Sequence, residues 1–224
     1  MIKAIVTDIE GTTTQLSFVK DVLFPFAYTH LPTYVEQHKS SPAVAAILDE
    51  TRKLLDNEAL SDQQIIQQFL QWIEQDKKIT PLKTLQGLIW QNGYQQGQLK
   101  SHVYADAVEQ LQAWHQQGLI LAIFSSGSIL AQKLLFAHTE YGDLTPLFSA
   151  YFDTTTGAKN AALSYEHIAQ QLNFPPQDIL FLSDVEAELD AAAAAGMHTC
   201  GLVRDAAVIS AKHLTAKNFY EINQ

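Results

Sequence analysis

Three short, continuous apolar runs interrupt a chain whose hydrophobic positions otherwise recur at helical spacing. Residues 3–8 form a brief run ending in an acid, Asp8. Leu119 to Phe124 and Ile179 to Leu182 are the other two, and His198 to Val203 has the texture of a last strand. Runs this short, without alternation, predict parallel strands buried on both faces. From about residue 18 to residue 100 the signals are all helical. Ser41-Pro42 supplies an N-cap and a first-turn proline, with Val44, Ile47, Leu48 and Leu55 following at helical spacing. Ser61 and Gln64 have capping-box spacing ahead of the stripe Ile65, Ile66, Phe69, Trp72 and Ile73. Thr80-Pro81 opens a helix carrying Leu82, Leu85 and Ile89 that Asn92-Gly93 is expected to stop. Val19, Val22, Leu23 and Phe26 share a face, and Pro25 is expected to kink or end that segment.

Beyond residue 100, helices are predicted over Tyr104 to Gln117, from Ser128, over Asn160 to Leu172 and over Glu186 to Ala195, alternating with the apolar runs. Such alternation implies a doubly wound α/β fold with a mainly parallel sheet. The expected division is a core of residues 1–17 and 100–224 and an inserted all-helical domain of residues 18–99. The length agrees: 224 residues is one domain, or one domain carrying an insertion, at about 100–200 residues per domain.

Charge narrows the partners. Twenty-four acidic against 14 basic residues give a net charge of −10. Nucleic acid and anionic membrane surfaces are therefore poor partners, since both are held by Lys/Arg patches. A small anionic substrate remains open, because one site can be locally positive or hold a metal. The single cysteine, Cys200, forbids an intrachain disulfide and fits a reducing compartment. The first apolar run is too short for a signal peptide, and no run approaches the ~18 residues of a membrane span. The expectation is a cytoplasmic monomer acting on a small molecule.

Ligands of open α/β sheets bind at the carboxyl ends of the strands. There the sequence delivers Asp8-Ile9-Glu10-Gly11-Thr12 after the first run and Ser125-Ser126-Gly127-Ser128 after the second. Lys159 precedes a predicted helix, and Asp184 follows the third run, with Glu186, Glu188 and Asp190 behind it. Each has an ordinary alternative: turn chemistry for Asp8 to Gly11, a helix cap for Ser128 or Asp184, solvated surface for Lys159. Their coincidence at one rim favours phosphoryl transfer. A carboxylate can accept a phosphoryl group. A divalent ion held by acids offsets the repulsion between the two. A second acid two residues on can serve as general acid and base, while hydroxyls, amides and a lysine spread the phosphoryl charge.

In this order, Asp8-Ile9-Glu10-Gly11-Thr12, Ser125-Ser126, Lys159 and Asp184 resemble the four motifs of the haloacid dehalogenase (HAD) superfamily. Most phosphatases of that superfamily carry Asp-x-Asp, whereas this chain has Glu10 at the second acid. That departure resembles the enolase-phosphatase (acireductone synthase) family of methionine salvage. Phe18 to Pro25, Gln86 to Trp90, His102-Val103-Tyr104, Phe124 to Phe136 and Leu182 to Ala192 are similar to that family too. The resemblance implies a HAD-like Rossmannoid core and a helical cap that closes over substrate. It implies enolisation of 2,3-diketo-5-methylthiopentyl 1-phosphate, then dephosphorylation through an aspartyl-phosphate to 1,2-dihydroxy-3-keto-5-methylthiopentene. It assigns Asp8 as nucleophile and metal ligand, and Glu10 as general acid/base and as metal ligand through its carbonyl. Ser125, Ser126 and Lys159 become the phosphate-binding set, Asp184 a carboxylate ligand of Mg²⁺, and Glu188 a direct or outer ligand.

Three alternatives remain open at this point: a Mg²⁺-dependent HAD phosphatase for another small phosphate ester, a phospho-accepting regulatory module, and a metal-independent dehalogenase. His102, His138 and His198 read as structural or solvated. Trp72 reads as core, Trp90 and Tyr94 as core or as lining for an apolar substrate end, and Cys200 as inert.

Overall fold

Successive parallel strands here share both ladders and burial. In the computed structural model, residues 1–204 and 211–222 are described. Strands β1 (Ala4–Thr7), β2 (Ile120–Phe124), β3 (Ala150–Phe152), β4 (Ile179–Ser183), β5 (His198–Leu202) and β6 (Leu214–Ala216) form one parallel sheet in the order β3-β2-β1-β4-β5-β6. The three predicted runs occupy its centre. Val6 sits between Ala122 and Phe181 in register, and alternate positions are buried on both faces, as doubly covered strands require. Two strands go beyond the sequence reading. β3 is three residues in a partly polar stretch, and β6 follows β5, which is therefore not the last. Both are edge strands too short to carry a hydrophobic pattern.

The helices are α1 (Leu16–Phe18), α2 (Phe24–His38), α3 (Pro42–Leu54), α4 (Asp62–Glu74), α5 (Thr80–Gln95), α6 (Ala105–Gln116), α7 (Ile129–Ala137), α8 (Ala162–Leu172) and α9 (Glu186–Ala194), with a π-helical turn at Val19–Leu23. The chain divides into two compact units, residues 1–16 with 100–222 and residues 17–99. In the first, Val6, Phe124 and Phe181 pack with Tyr165, Ile168 and Leu189 from α8 and α9. In the second, Leu31, Ile65, Phe69, Trp72 and Leu85 form a separate core.

The caps of the second unit follow the sequence closely. Ser41 Oγ accepts from Val44 N, and Ser61 and Gln64 make both bonds of a capping box. Pro25 does not end its segment: it lies just after the π-helical turn Val19–Leu23, where the run from Leu16 to His38 changes register, an interruption of the kind expected at a proline. One expectation fails. Gly93 does not stop α5, which runs on to Gln95. A Cβ there would overlap the Phe26 ring, so the glycine serves close packing inside the helix. No helix among the described residues is long and apolar enough to cross a membrane.

Candidate active site

Strand pairing delivers the site. Asp8 N donates to Leu182 O at 2.8 Å and Ser125 N to Phe152 O at 3.1 Å, so both ladders continue one residue past the strands. Asp8 and Ser125 are thereby fixed at the carboxyl rim, 5% and 4% exposed. After Asp8 the chain folds into a tight turn: Thr12, Thr13 and Thr14 N all bond Ile9 O, and Gly11 N bonds Thr14 O. Gly11 has φ +72°, and a Cβ on it would overlap the Asp184 carboxylate. Glycine is thus required twice over, by conformation and by space, and the turn lies directly against Asp184.

Lys159 joins the parts. Its Nζ lies 2.6 Å from Asp8 Oδ1 and 2.7 Å from Glu188 Oε2, with all three side chains nearly buried. Ser183 Oγ donates to the same Glu188 oxygen at 2.8 Å. The loop carrying Lys159 is pinned by the start of α8: Tyr165 Oη donates to Lys159 O at 2.6 Å and Ser164 Oγ to Ala158 O at 2.7 Å. Burial alone would lower the lysine's pKa, but Asp8 and Glu188 outweigh it and hold the ammonium above its ordinary value. The acids show the opposite strain. Burial, then the charge of Asp8, raises Asp184 to about 6 and Glu188 to about 7.

More negative charge is gathered here than one lysine neutralises. Asp184 Oδ1 is buried with no hydrogen-bond partner, which is costly unless something else meets it. The charge of Glu10 also reaches Asp184. Hard oxygen donors with an orphaned carboxylate oxygen among them fit a Mg²⁺-sized cation. Among the described residues no three His, Cys, Asp or Glu side chains converge as a metal cluster. The donor set is two carboxylates, Asp8 and Asp184, to which the sequence reading adds the Glu10 carbonyl.

The structure thus brings Asp8, Asp184 and Lys159 together at one rim, with Glu188 as the lysine's partner. Ser125 and Ser126 stand at the end of the neighbouring β2; Ser125 Oγ accepts from Gly127 N at 3.3 Å. Ser128 is indeed a cap, accepting from Ala131 N. Asp184 is not one, because Val185 occupies the N-cap of α9. Trp90 is buried and donates its Nε1 to Leu23 O, a core role within its unit. His102 Nδ1 accepts from Gln15 N at 3.3 Å, which makes it a local brace.

Sequence reasoning missed Ser183, Tyr165 and Gln132. Gln132, 1% exposed, donates its Nε2 to Gly127 O and Phe152 O, bracing the Ser125 to Ser128 loop. A buried glutamine inside an apolar helix stripe is the signal that marks it.

Comparison with known proteins adds what geometry cannot. The haloacid dehalogenase-like hydrolase family model matches residues 2–196. A protein of Pseudomonas syringae pv. syringae named enolase-phosphatase E1 is 56% identical over 209 residues, 93% of this chain and 92% of that one. One of the same name from Alcanivorax borkumensis is 49% identical over 223 residues, 100% and 99% of the two chains. The crystal structure of the UTR4 protein of Saccharomyces cerevisiae superposes with a TM-score of 0.85 at 33% identity, covering 99% of this chain and all of that one.

Proposed function

Because the chain belongs to the haloacid dehalogenase-like hydrolases, and within them to the enolase-phosphatases, we propose that it acts on 2,3-diketo-5-methylthiopentyl 1-phosphate. It enolises that substrate and then releases phosphate, leaving the acireductone 1,2-dihydroxy-3-keto-5-methylthiopentene, a step of methionine salvage in the cytoplasm. The observation that carries the phosphatase half is the seating of Asp8: a nearly buried carboxylate held 2.6 Å from a buried ammonium, beside the half-buried Asp184, whose Oδ1 is buried and unpaired.

In this reading an Asp8 carboxylate oxygen attacks phosphorus and forms an aspartyl-phosphate as the bond to the substrate oxygen breaks. Lys159, Ser125 and Ser126 supply donors to the phosphoryl oxygens. Glu10 protonates the departing oxygen, then takes a proton from the water that hydrolyses the intermediate. Asp8, Asp184 and the Glu10 carbonyl would hold Mg²⁺, which would supply positive charge against which two anions can approach. Glutamate reaches one methylene further than aspartate, and this reach lets Glu10 serve proton transfer at carbon as well as at oxygen.

An assay of the diketone phosphate with Mg²⁺, following enol absorbance and phosphate separately, tests the reading. Asp8→Asn should abolish phosphate release; retained turnover would remove Asp8 as nucleophile. Glu10→Asp should slow enolisation, and unchanged enolisation would refute the role given to its reach. Hydrolysis of other small phosphate esters with no enol formed would favour a different specificity within the same family.

A further inference from the structure

Arg204, just after β5, is a buried cation outside the phosphoryl site. Its side chain is 8% exposed. Nη1 and Nη2 donate in a fork to Asp106 Oδ1 and Oδ2, at 3.3 and 2.5 Å, and Nε donates to Thr12 O at 2.9 Å. The guanidinium carbon lies 3.9 Å from the centroid of the Tyr104 ring and 5.5 Å from that of Phe219. Asp106 Oδ2 also accepts from Phe219 N at 2.8 Å. Four separated stretches of chain therefore meet at one planar cation.

A buried ion pair is weak evidence of stability, because an apolar set of the same volume often does as well. What an apolar set could not do is grip a backbone carbonyl, and the carbonyl gripped here belongs to the turn that follows Asp8. That turn is also held by Tyr104 N, which donates to Thr13 O at 2.9 Å. Within it, Gly11 abuts Asp184. Movement of Thr12 is therefore movement of Gly11, and with it of the gap between the two carboxylates.

We propose that Arg204 is a positioning residue for phosphoryl transfer. Through Thr12 O it fixes the turn 9–14, and thereby the placement of Asp8 against Asp184. Asp106 and Tyr104 hold the guanidinium in plane for that single contact. The proposal rests on the phosphatase reading but not on the identity of the substrate.

The test uses the full chain with Mg²⁺ and p-nitrophenyl phosphate, together with peptide-level amide exchange over residues 9–14. Arg204→Lys keeps the charge near Asp106 but cannot hold the fork and Thr12 O together. Its kcat should fall about 10- to 100-fold with KM within about 2-fold, since small misplacements of reacting groups cost that much, and exchange in 9–14 should rise. Asp106→Asn keeps one oxygen acceptor of the fork, so kcat should fall and exchange in 9–14 should rise, each by less than in Arg204→Lys. The proposal is overturned if Arg204→Lys lowers Tm yet leaves both kcat and exchange in 9–14 as in the parent. A rise in KM with kcat constant would also overturn it, assigning Arg204 to substrate binding. Failure of the diketone phosphate as substrate leaves these arms intact. If the parent hydrolyses no ester, the exchange result decides alone.

Discussion

The two units solve opposite problems. The helical unit, residues 17–99, keeps its charges outside and its apolar stripes inside. Its helix ends are capped locally by Ser41 and by the Ser61–Gln64 box. The α/β unit gathers Asp8, Lys159, Asp184 and Glu188 at its carboxyl rim and leaves Asp184 Oδ1 unpaired. One unit is optimised for its own folding; the other carries groups that oppose folding for the sake of chemistry. Substitutions should therefore separate activity from stability according to the unit they fall in.

Asp8→Asn should give the largest effect, a loss of phosphate release of at least about 10³-fold, as for other single nucleophile removals. Circular dichroism and Tm should stay close to those of the parent. Phe69→Ala empties a fully buried position of the helical core and should cost about 3–5 kcal/mol in chemical denaturation. The comparison breaks if Phe69→Ala leaves the denaturation midpoint in place. Gly11→Ala forces a side chain onto Asp184 at positive φ. Activity should fall at least about 10-fold, with weakened Mg²⁺ binding by calorimetry and a modest loss of stability.

Ser61→Ala removes half of a capping box and should cost about 1 kcal/mol without altering kcat. Smallest is the response of Cys200, a thiol that burial raises to about 11. Only the thiolate alkylates, so native protein with iodoacetamide at pH 8 should remain unmodified, with labelling rising as pH approaches 11. Rapid labelling at pH 8 would show that β5 opens readily.

What the sequence made legible follows from which forces act locally. β1, β2 and β4 are central and buried on both faces, so their runs are continuous and plain to read. β3 and β6 pair on one side only, and nothing in Ala150-Tyr151-Phe152 or Leu214-Thr215-Ala216 distinguishes them from loop. Gly93 misled because its usual effect assumes exposed backbone, whereas packing against Phe26 decided here. At the site, Asp8, Lys159 and Asp184 were legible because strand ends must converge in a doubly wound sheet. Gln132 and Arg204 were not, since each works through a contact between residues far apart or through backbone; Ser183 was not, because a serine closing a strand carries no sign of its bond to Glu188. Thr12 O and Arg204 are separated by 192 positions, and no local spacing encodes such a pair.

The strand order has a consequence for how the molecule is made. β1 is synthesised first yet lies between β2 and β4, whose residues emerge more than a hundred positions later. The helical segment, rich in local contacts, can collapse while β1 still waits with both edges bare. A nascent or truncated chain ending before Ile179 presents a short apolar strand with an open ladder, the kind of edge that pairs with a neighbour. Chaperone demand and aggregation should thus concentrate late in translation, and ease once β4 closes against Asp8.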